Sequence, residues 1–327
     1  MKNYLFILLI CMSCASKKEI ATPTFDSRII STEKLSCRAI FVDADKVWLG
    51  MDKGRYGFYD KKKDTLVVKT IQSVSNTTEF RSIAATKDAI FILAVGNPAK
   101  LIKIDKKSLQ ETIVYQEENE KVFYDSMQFV DNLNGFAMGD PTEDCLSFIK
   151  TTDGGNSWQK ISCVNLPKVN EGEAAFATSN TNLIVKGKSI FMVSGGKKSR
   201  VFVSHDFGTT WQVYETPIVQ GEEMTGIFTA DFYNEKTGII AGGNYLNQNQ
   251  NWSNKAITNN GGKSWQLIAE NEAFGYTSCI QFVPKSNGQQ LISIGGTGLF
   301  YSPDFGKTWT KFSDDKDFYT FRFESEK

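Results

Sequence analysis

Four segments of this chain align without a gap, and their recurrence limits the fold more than any other feature of the sequence. They are Thr151-Thr-Asp153-Gly-Gly155-Asn-Ser157-Trp158, Ser204-His-Asp206-Phe-Gly208-Thr-Thr210-Trp211, Thr258-Asn-Asn260-Gly-Gly262-Lys-Ser264-Trp265 and Ser302-Pro-Asp304-Phe-Gly306-Lys-Thr308-Trp309. The shared design is a hydroxyl residue, then Asp or Asn two positions on, Gly two further, a second hydroxyl two further, and a closing Trp. Such a segment is a self-contained hairpin turn. The acid or amide accepts from turn N–H groups, Gly takes a positive φ, the hydroxyls bind local backbone, and Trp covers the turn.

The copies begin at residues 151, 204, 258 and 302, that is, 53, 54 and 44 residues apart. That period is the length of one four-stranded propeller blade. Each copy follows two alternating aliphatic strands: 127–131 and 135–139, 174–178 and 190–194, 227–232 and 238–241, and 279–283 and 291–294. Upstream, 37–42, 47–51 and 56–59, then 82–85, 90–95 and 101–104, keep the rhythm. Those two units end a strand in Asp60 or Asp105 without the Gly and Trp. The expected fold is therefore an all-β propeller of four-stranded antiparallel blades, with units near 35–75, 76–120, 121–168, 169–219, 220–270 and 271–313. Six blades closed by terminal strands is the first choice. The alternative is seven with the last incomplete, because Phe318-Tyr-Thr-Phe-Arg322-Phe323 reads as an opening strand.

These hairpins resemble the Asp-box, or bacterial neuraminidase, repeat. The whole mature chain is similar to the propeller family that includes the photosystem II stability and assembly factors and their uncharacterised bacterial relatives. Phe80-Arg81, Gly139-Asp140-Pro141, Gly172-Glu173-Ala174-Ala175-Phe176 with Ser179-Asn180-Thr181, and Gly242-Gly243-Asn244-Tyr245 resemble segments shared by those relatives. The resemblance implies a fold and places the boxes away from functional pockets. It does not imply a reaction, since the repeat recurs in sialidases, other glycosidases, sorting receptors and assembly factors.

Composition removes several function classes. Lys plus Arg equals Asp plus Glu at 37 each, and no long basic run offsets that balance, so no nucleic-acid partner is expected. His205 is the single histidine, which argues against His-based triads and His-rich zinc sites; no metal and no cofactor are expected. No glycine-rich dinucleotide loop and no Cys-x-x-Cys outside the leader is present, leaving no site for nucleotide or dithiol redox chemistry.

The first residues have the parts of an export signal: Lys2, an apolar stretch from Tyr4 to Ile10, then small residues up to Cys14. The expected organisation is a signal peptide over 1–14 ending at a lipidated Cys14, a tether over 15–33, and one propeller domain over 34–327. The chain is then an exported lipoprotein of the bacterial cell envelope, the alternative being a secreted or periplasmic soluble protein. Export permits disulfides. Cys145 and Cys163 lie symmetrically about Asp153-Gly154-Gly155 and form the candidate pair, with free buried thiols as the alternative.

In a propeller, the loop leading into the inner strand and the loop between the second and third strands open on one face, and the box hairpins on the other. Arg81, Glu173 and Tyr276 fall at the first kind of loop; Asp140 and Tyr245 fall at the second. These five are the candidate channel-mouth pocket, the competing reading being ion pairs and inter-blade packing. Sialidase chemistry would need three clustered arginines with a Tyr–Glu pair. Phe80-Arg81-Ser82-Ile83 lacks the Pro of that context. The leading functional expectation is a non-catalytic, membrane-anchored propeller that binds a protein as an assembly or stability factor. The alternative is a glycan-binding or glycoside-hydrolase-like protein built on a carboxylate pair such as Asp140 and Glu173.

Overall fold

A computed structural model describes residue 24 and residues 26–324 of the chain. The signal, Cys14 and most of the tether lie outside the described residues. The described chain folds into six four-stranded antiparallel blades spanning 37–70, 80–117, 124–160, 183–215, 225–267 and 277–313. Within each blade the strands follow one another outward from the axis. Among the described residues no helix is long and apolar enough to cross a membrane.

The strand pattern follows from each blade being flanked on both faces. A middle strand such as Ala89–Ala94 is buried at every position, while the outermost strand of the same blade, Glu111–Glu117, stays half exposed. The hydrophobic side chains gather between blades, not within them. Clusters join blades 1 and 2 around Trp48 and Ile92, 2 and 3 around Phe91 and Ile149, and 3 and 4 around Phe148 and Met192. Further clusters join 4 and 5 around Phe191 and Phe232, and 5 and 6 around Ile239 and Leu291.

All four box hairpins adopt one design at the turn between third and fourth strands. In the first, Asp153 accepts from the N–H groups of Asn156 and Ser157 at 2.9 and 3.0 Å and from the Ser157 hydroxyl at 2.7 Å. The Thr151 hydroxyl accepts from Gly155 N–H at 3.0 Å. Asp206 and Asp304 repeat this pattern. Asn260 also accepts from backbone, but its amide donates to the Ser264 hydroxyl, so the direction of that bond is reversed. Three of the tryptophans, Trp211, Trp265 and Trp309, donate Nε1–H to the box glycine carbonyl. Gly155 holds φ at +76°, and a Cβ there would meet the Phe91 ring of the preceding blade at 2.3 Å, so the turn and the seam both require glycine. In the two blades without boxes, Asp60 and Asp105 still accept two successive N–H groups each at the same turn.

Two sequence expectations are corrected. The ring is not closed by an exchanged or added strand, because the first and last blades each pair only their own four consecutive strands. Residues 318–324 lie extended without strand pairing and wedge between blade 6 and blade 1. Phe318 and Phe321 pack on Cys279, Ile294 and Leu299 of blade 6, while Tyr319 lies under the Arg38 guanidinium and Glu324 pairs with Lys61 of blade 1. The alternating aromatics that read as the start of a seventh blade act as a seal.

The inner strand expected over 174–178 is the second correction. Blade 4 pairs only Glu173–Ala174 and Leu183–Lys186 with its second-strand segments, and residues 175–182 leave the sheet. The departing segment crosses the axis. Thr178 donates to the carbonyls of Phe228 and Ser278, Ser179 to Ser278, and Asn180 to Ile83, while Asn180 accepts from Met127 N–H at 2.8 Å. The Thr181 hydroxyl meets that of Thr229 at 2.8 Å. Blades 2, 3, 5 and 6 are thereby tied to one central plug, and Arg322 of the tail donates to the Ser179 and Asn180 carbonyls at 2.8 and 3.2 Å. The plug uses the inward-facing polar groups that inner strands leave without a ladder partner.

Candidate functional site

The other five inner strands each carry a β-bulge at one equivalent place. The unpaired residues are Arg38, Arg81, Asp125, Phe228 and Ser278. A bulge turns one side chain out of the regular alternation. Here it collects two arginines, an acid, an aromatic ring and a hydroxyl around the mouth side of the plug, opposite the box hairpins. Asp140 is itself the unpaired residue of a bulge between the second and third strands of blade 3.

The five sequence candidates fall into three groups, not one pocket. Arg81 forms an ion pair with Glu79 at 2.6 Å, not with Asp140 or Glu173. Asp140 accepts from Ala175 N–H at 2.8 Å, and burial pushes its carboxyl up to about 6. Asp125 lies next to it in charge terms. It is fully buried, neither carboxylate oxygen has a protein partner, and burial followed by the charge of Asp140 holds its proton well above the usual range, against the pull of Arg81. Arg81, Asp125 and Asp140 thus form an electrostatic unit.

Glu173 is committed elsewhere. Arg200 grips it through Nε at 2.9 Å and Nη2 at 2.6 Å, the Ser194 hydroxyl donates at 2.6 Å, and Asn170 N–H donates at 2.8 Å. Both oxygens serve this buried bidentate pair, which leaves no free carboxylate to act with Asp140. Tyr245 and Tyr276 form the third group. Their rings meet edge-on at 5.2 Å, Tyr276 meets Phe228 at 4.9 Å, and Phe228 stacks on Phe176 of the plug at 3.8 Å. Burial raises the Tyr276 phenol and keeps it neutral. Tyr276 is buried, and Tyr245 remains 38% exposed.

Around this mouth the loops present large apolar groups to solvent: Leu246 at 77%, Trp252 at 47% and, on the tail, Tyr319 at 43% exposure. On the far side of the plug a cavity of about 330 Å³ opens toward the box face and is lined by none of the five candidates. Its charged residues are Lys186, Asp231 and Arg322. Asp231 accepts Phe282 N–H of the next blade at 2.8 Å, so it too joins two blades.

Cys145 and Cys163 are joined as a disulfide with Cα atoms 5.5 Å apart. It ties the loop before the third strand of blade 3 to the short 3₁₀ turn Cys163–Asn165 after the fourth. Sequence reasoning missed Arg38, Asp125 and Arg322. The only signal for the first two was their place near the start of an inner strand, equivalent to that of Arg81.

No protein-family model matches the chain, and no curated protein matches it in sequence. Its likeness is to solved structures. One titled "YCF48 bound to D1 peptide" is similar with a TM-score of 0.62 and 14% identity, over 91% of this chain and 90% of that one. "YCF48 from Cyanidioschyzon merolae" is similar with a TM-score of 0.59 and 10% identity, over 86% of each chain. "Structure of U3-55K" is similar with a TM-score of 0.61 and 10% identity, over 84% of this chain and 79% of that one. At these identities the likeness establishes the propeller fold and no more.

Proposed function

We propose that this chain is a non-catalytic, protein-binding propeller of the cell envelope, held to a membrane by a lipid on Cys14, and that it grips its partner with the mouth opposite the box hairpins. One observation carries the reading. The channel is stopped just behind the mouth by the plug, so a ligand arriving there meets a shallow surface of Arg, Tyr and Trp side chains. Those residue types dominate the energetics of protein interfaces, and a shallow aromatic surface suits a polypeptide better than a small molecule sunk in a deep cleft. A structural neighbour of nearly the same length was solved with a peptide bound, which supports the same use of the fold.

The test is a pull-down from solubilised membranes with wild type, Arg81→Ala and Tyr245→Ala, alongside a glycan-turnover panel. The reading expects a partner retained by wild type and lost from both variants. Absence of a stable partner, together with glycan turnover that disappears in Asp140→Ala, would reject it in favour of an enzyme.

A further inference from the structure

The seam between blade 6 and the tail is packed unlike the other five. Each of those closes on a cluster of at least eight buried hydrophobic residues, whereas this one has three: Cys279, Ile294 and Leu299. Among the described residues, no side chain fills the volume this leaves. A cavity of about 460 Å³ runs along the face of blade 6 under the tail, lined by Ile292, Ile294, Leu299, Tyr301, Phe312 and Phe321. It opens to solvent along one side, and ~300–1,000 Å³ is the range of small-molecule pockets.

The lining is mostly apolar, with Thr24, Gln290, Tyr301, Thr320 and Arg322 as its polar members, and two of these bear on what it would hold. Tyr301 is 2% exposed, yet its hydroxyl has no partner. Arg322 borders both this cavity and the chamber below the plug. Its guanidinium donates to the Thr320 hydroxyl at 3.0 Å and to the carbonyls of Phe321, Ser179 and Asn180 at 2.6, 2.8 and 3.2 Å. Every one of those oxygens is neutral. Among the described residues no carboxylate lies within ion-pair distance of Arg322, and Asp231, which feels its charge, is already bonded to Phe232 and Phe282 N–H. A half-buried cation answered only by neutral oxygens favours an anion.

We infer that the seam is a binding site for a single unbranched hydrocarbon chain with a carboxylate head, a fatty acid, with the chain along Ile292, Leu299 and Phe312 and the head at Arg322. The trough is mostly apolar along its length and cationic at one end, and a fatty acid has that same asymmetry. The four Nη hydrogens of Arg322 are held by the Thr320, Phe321, Ser179 and Asn180 oxygens, so the carboxylate is met by the guanidinium's charge and by Nε–H, not by a bidentate fork. This site is separate from the mouth and independent of the partner proposed there.

The experiment is displacement of a fluorescent fatty-acid probe from the natively processed, delipidated chain by octanoate, decanoate, laurate, myristate and palmitate, with dodecanol as the uncharged control. Affinity should rise roughly fourfold per added methylene while the chain finds new apolar wall, then level off once the trough is full. Laurate should bind more tightly than dodecanol. Leu299→Trp, which fills the trough, should abolish saturable displacement, and Arg322→Gln should bring laurate down to the level of dodecanol. Ile292→Phe narrows the same space and replaces Leu299→Trp if that variant fails to fold. No saturable binding by any acid, undiminished binding in the trough-filling variant, or affinity that climbs through palmitate without levelling would each overturn the assignment.

Discussion

Asn180 is the residue on which the plug can be tested most sharply. It bridges two blades, donating its amide to Ile83 and accepting from Met127 N–H at 2.8 Å, and it does so with φ at +58°. Replacing it by Ala removes both bonds and leaves two backbone groups that face the chamber below the plug. Because that chamber admits water, the cost is at the low end for unsatisfied polar groups, about 1 kcal/mol each. Alanine also tolerates the left-handed region less well than asparagine, adding about 1 kcal/mol. The sum, about 3 kcal/mol, lowers Tm by about 6 °C for a domain of this size. Asn180→Gly loses the same bonds without the backbone penalty, so its Tm falls less, by about 4 °C. Differential scanning calorimetry of the three proteins decides the matter. An Asn180→Ala protein melting within about 1 °C of wild type, or a Gly variant worse than Ala, would refute the bridging role.

Three further outcomes follow from the same geometry. Hydroxyl and backbone donors hold the box carboxyls of Asp153 and Asp206 down to about 2, so the stability they contribute is full above an unfolded value of about 4 and is lost as pH falls toward 2. The double variant Asp153→Asn, Asp206→Asn should show a flatter fall in urea midpoint over that window, and the natural Asn260 shows that an amide fits the turn. Asp125 has the opposite sign: its raised proton affinity makes the folded state lose stability as pH rises above about 4, so Asp125→Asn should match wild type in acid and unfold at higher urea near neutrality. The Cys145–Cys163 bridge spans a sequence separation of 18, which predicts a loss of about 3 kcal/mol in the double Ser variant, read as a drop in Tm that reducing agent reproduces in wild type.

The box hairpins and the six-unit count were legible because each unit carries its own turn chemistry and must hide both faces against neighbours. The plug was not. Ala175-Phe-Ala177 reads as strand by composition, and only the polar run Thr178-Ser-Asn-Thr181, with an asparagine able to take a positive φ, marks where the chain leaves the sheet. The tail misled for the converse reason, since Tyr319, Phe321 and Phe323 alternate as a strand would while having no strand to pair with. Of the mouth, Arg81, Asp140, Tyr245 and Tyr276 were chosen by loop position. Glu173 was chosen by the same rule, and its engagement by Arg200 twenty-seven positions away depends on the split inner strand, which the sequence did not reveal. Asp125 escaped because a bulge leaves no local composition cue.

The claim that a partner docks at the plugged mouth and not on the box face is tested most directly by a photo-crosslinking amino acid placed in turn at Tyr245 and at Leu133, which is 58% exposed on the opposite face. The account predicts a discrete protein adduct in vivo from position 245 and none from 133. An adduct from 133 with none from 245 would contradict it.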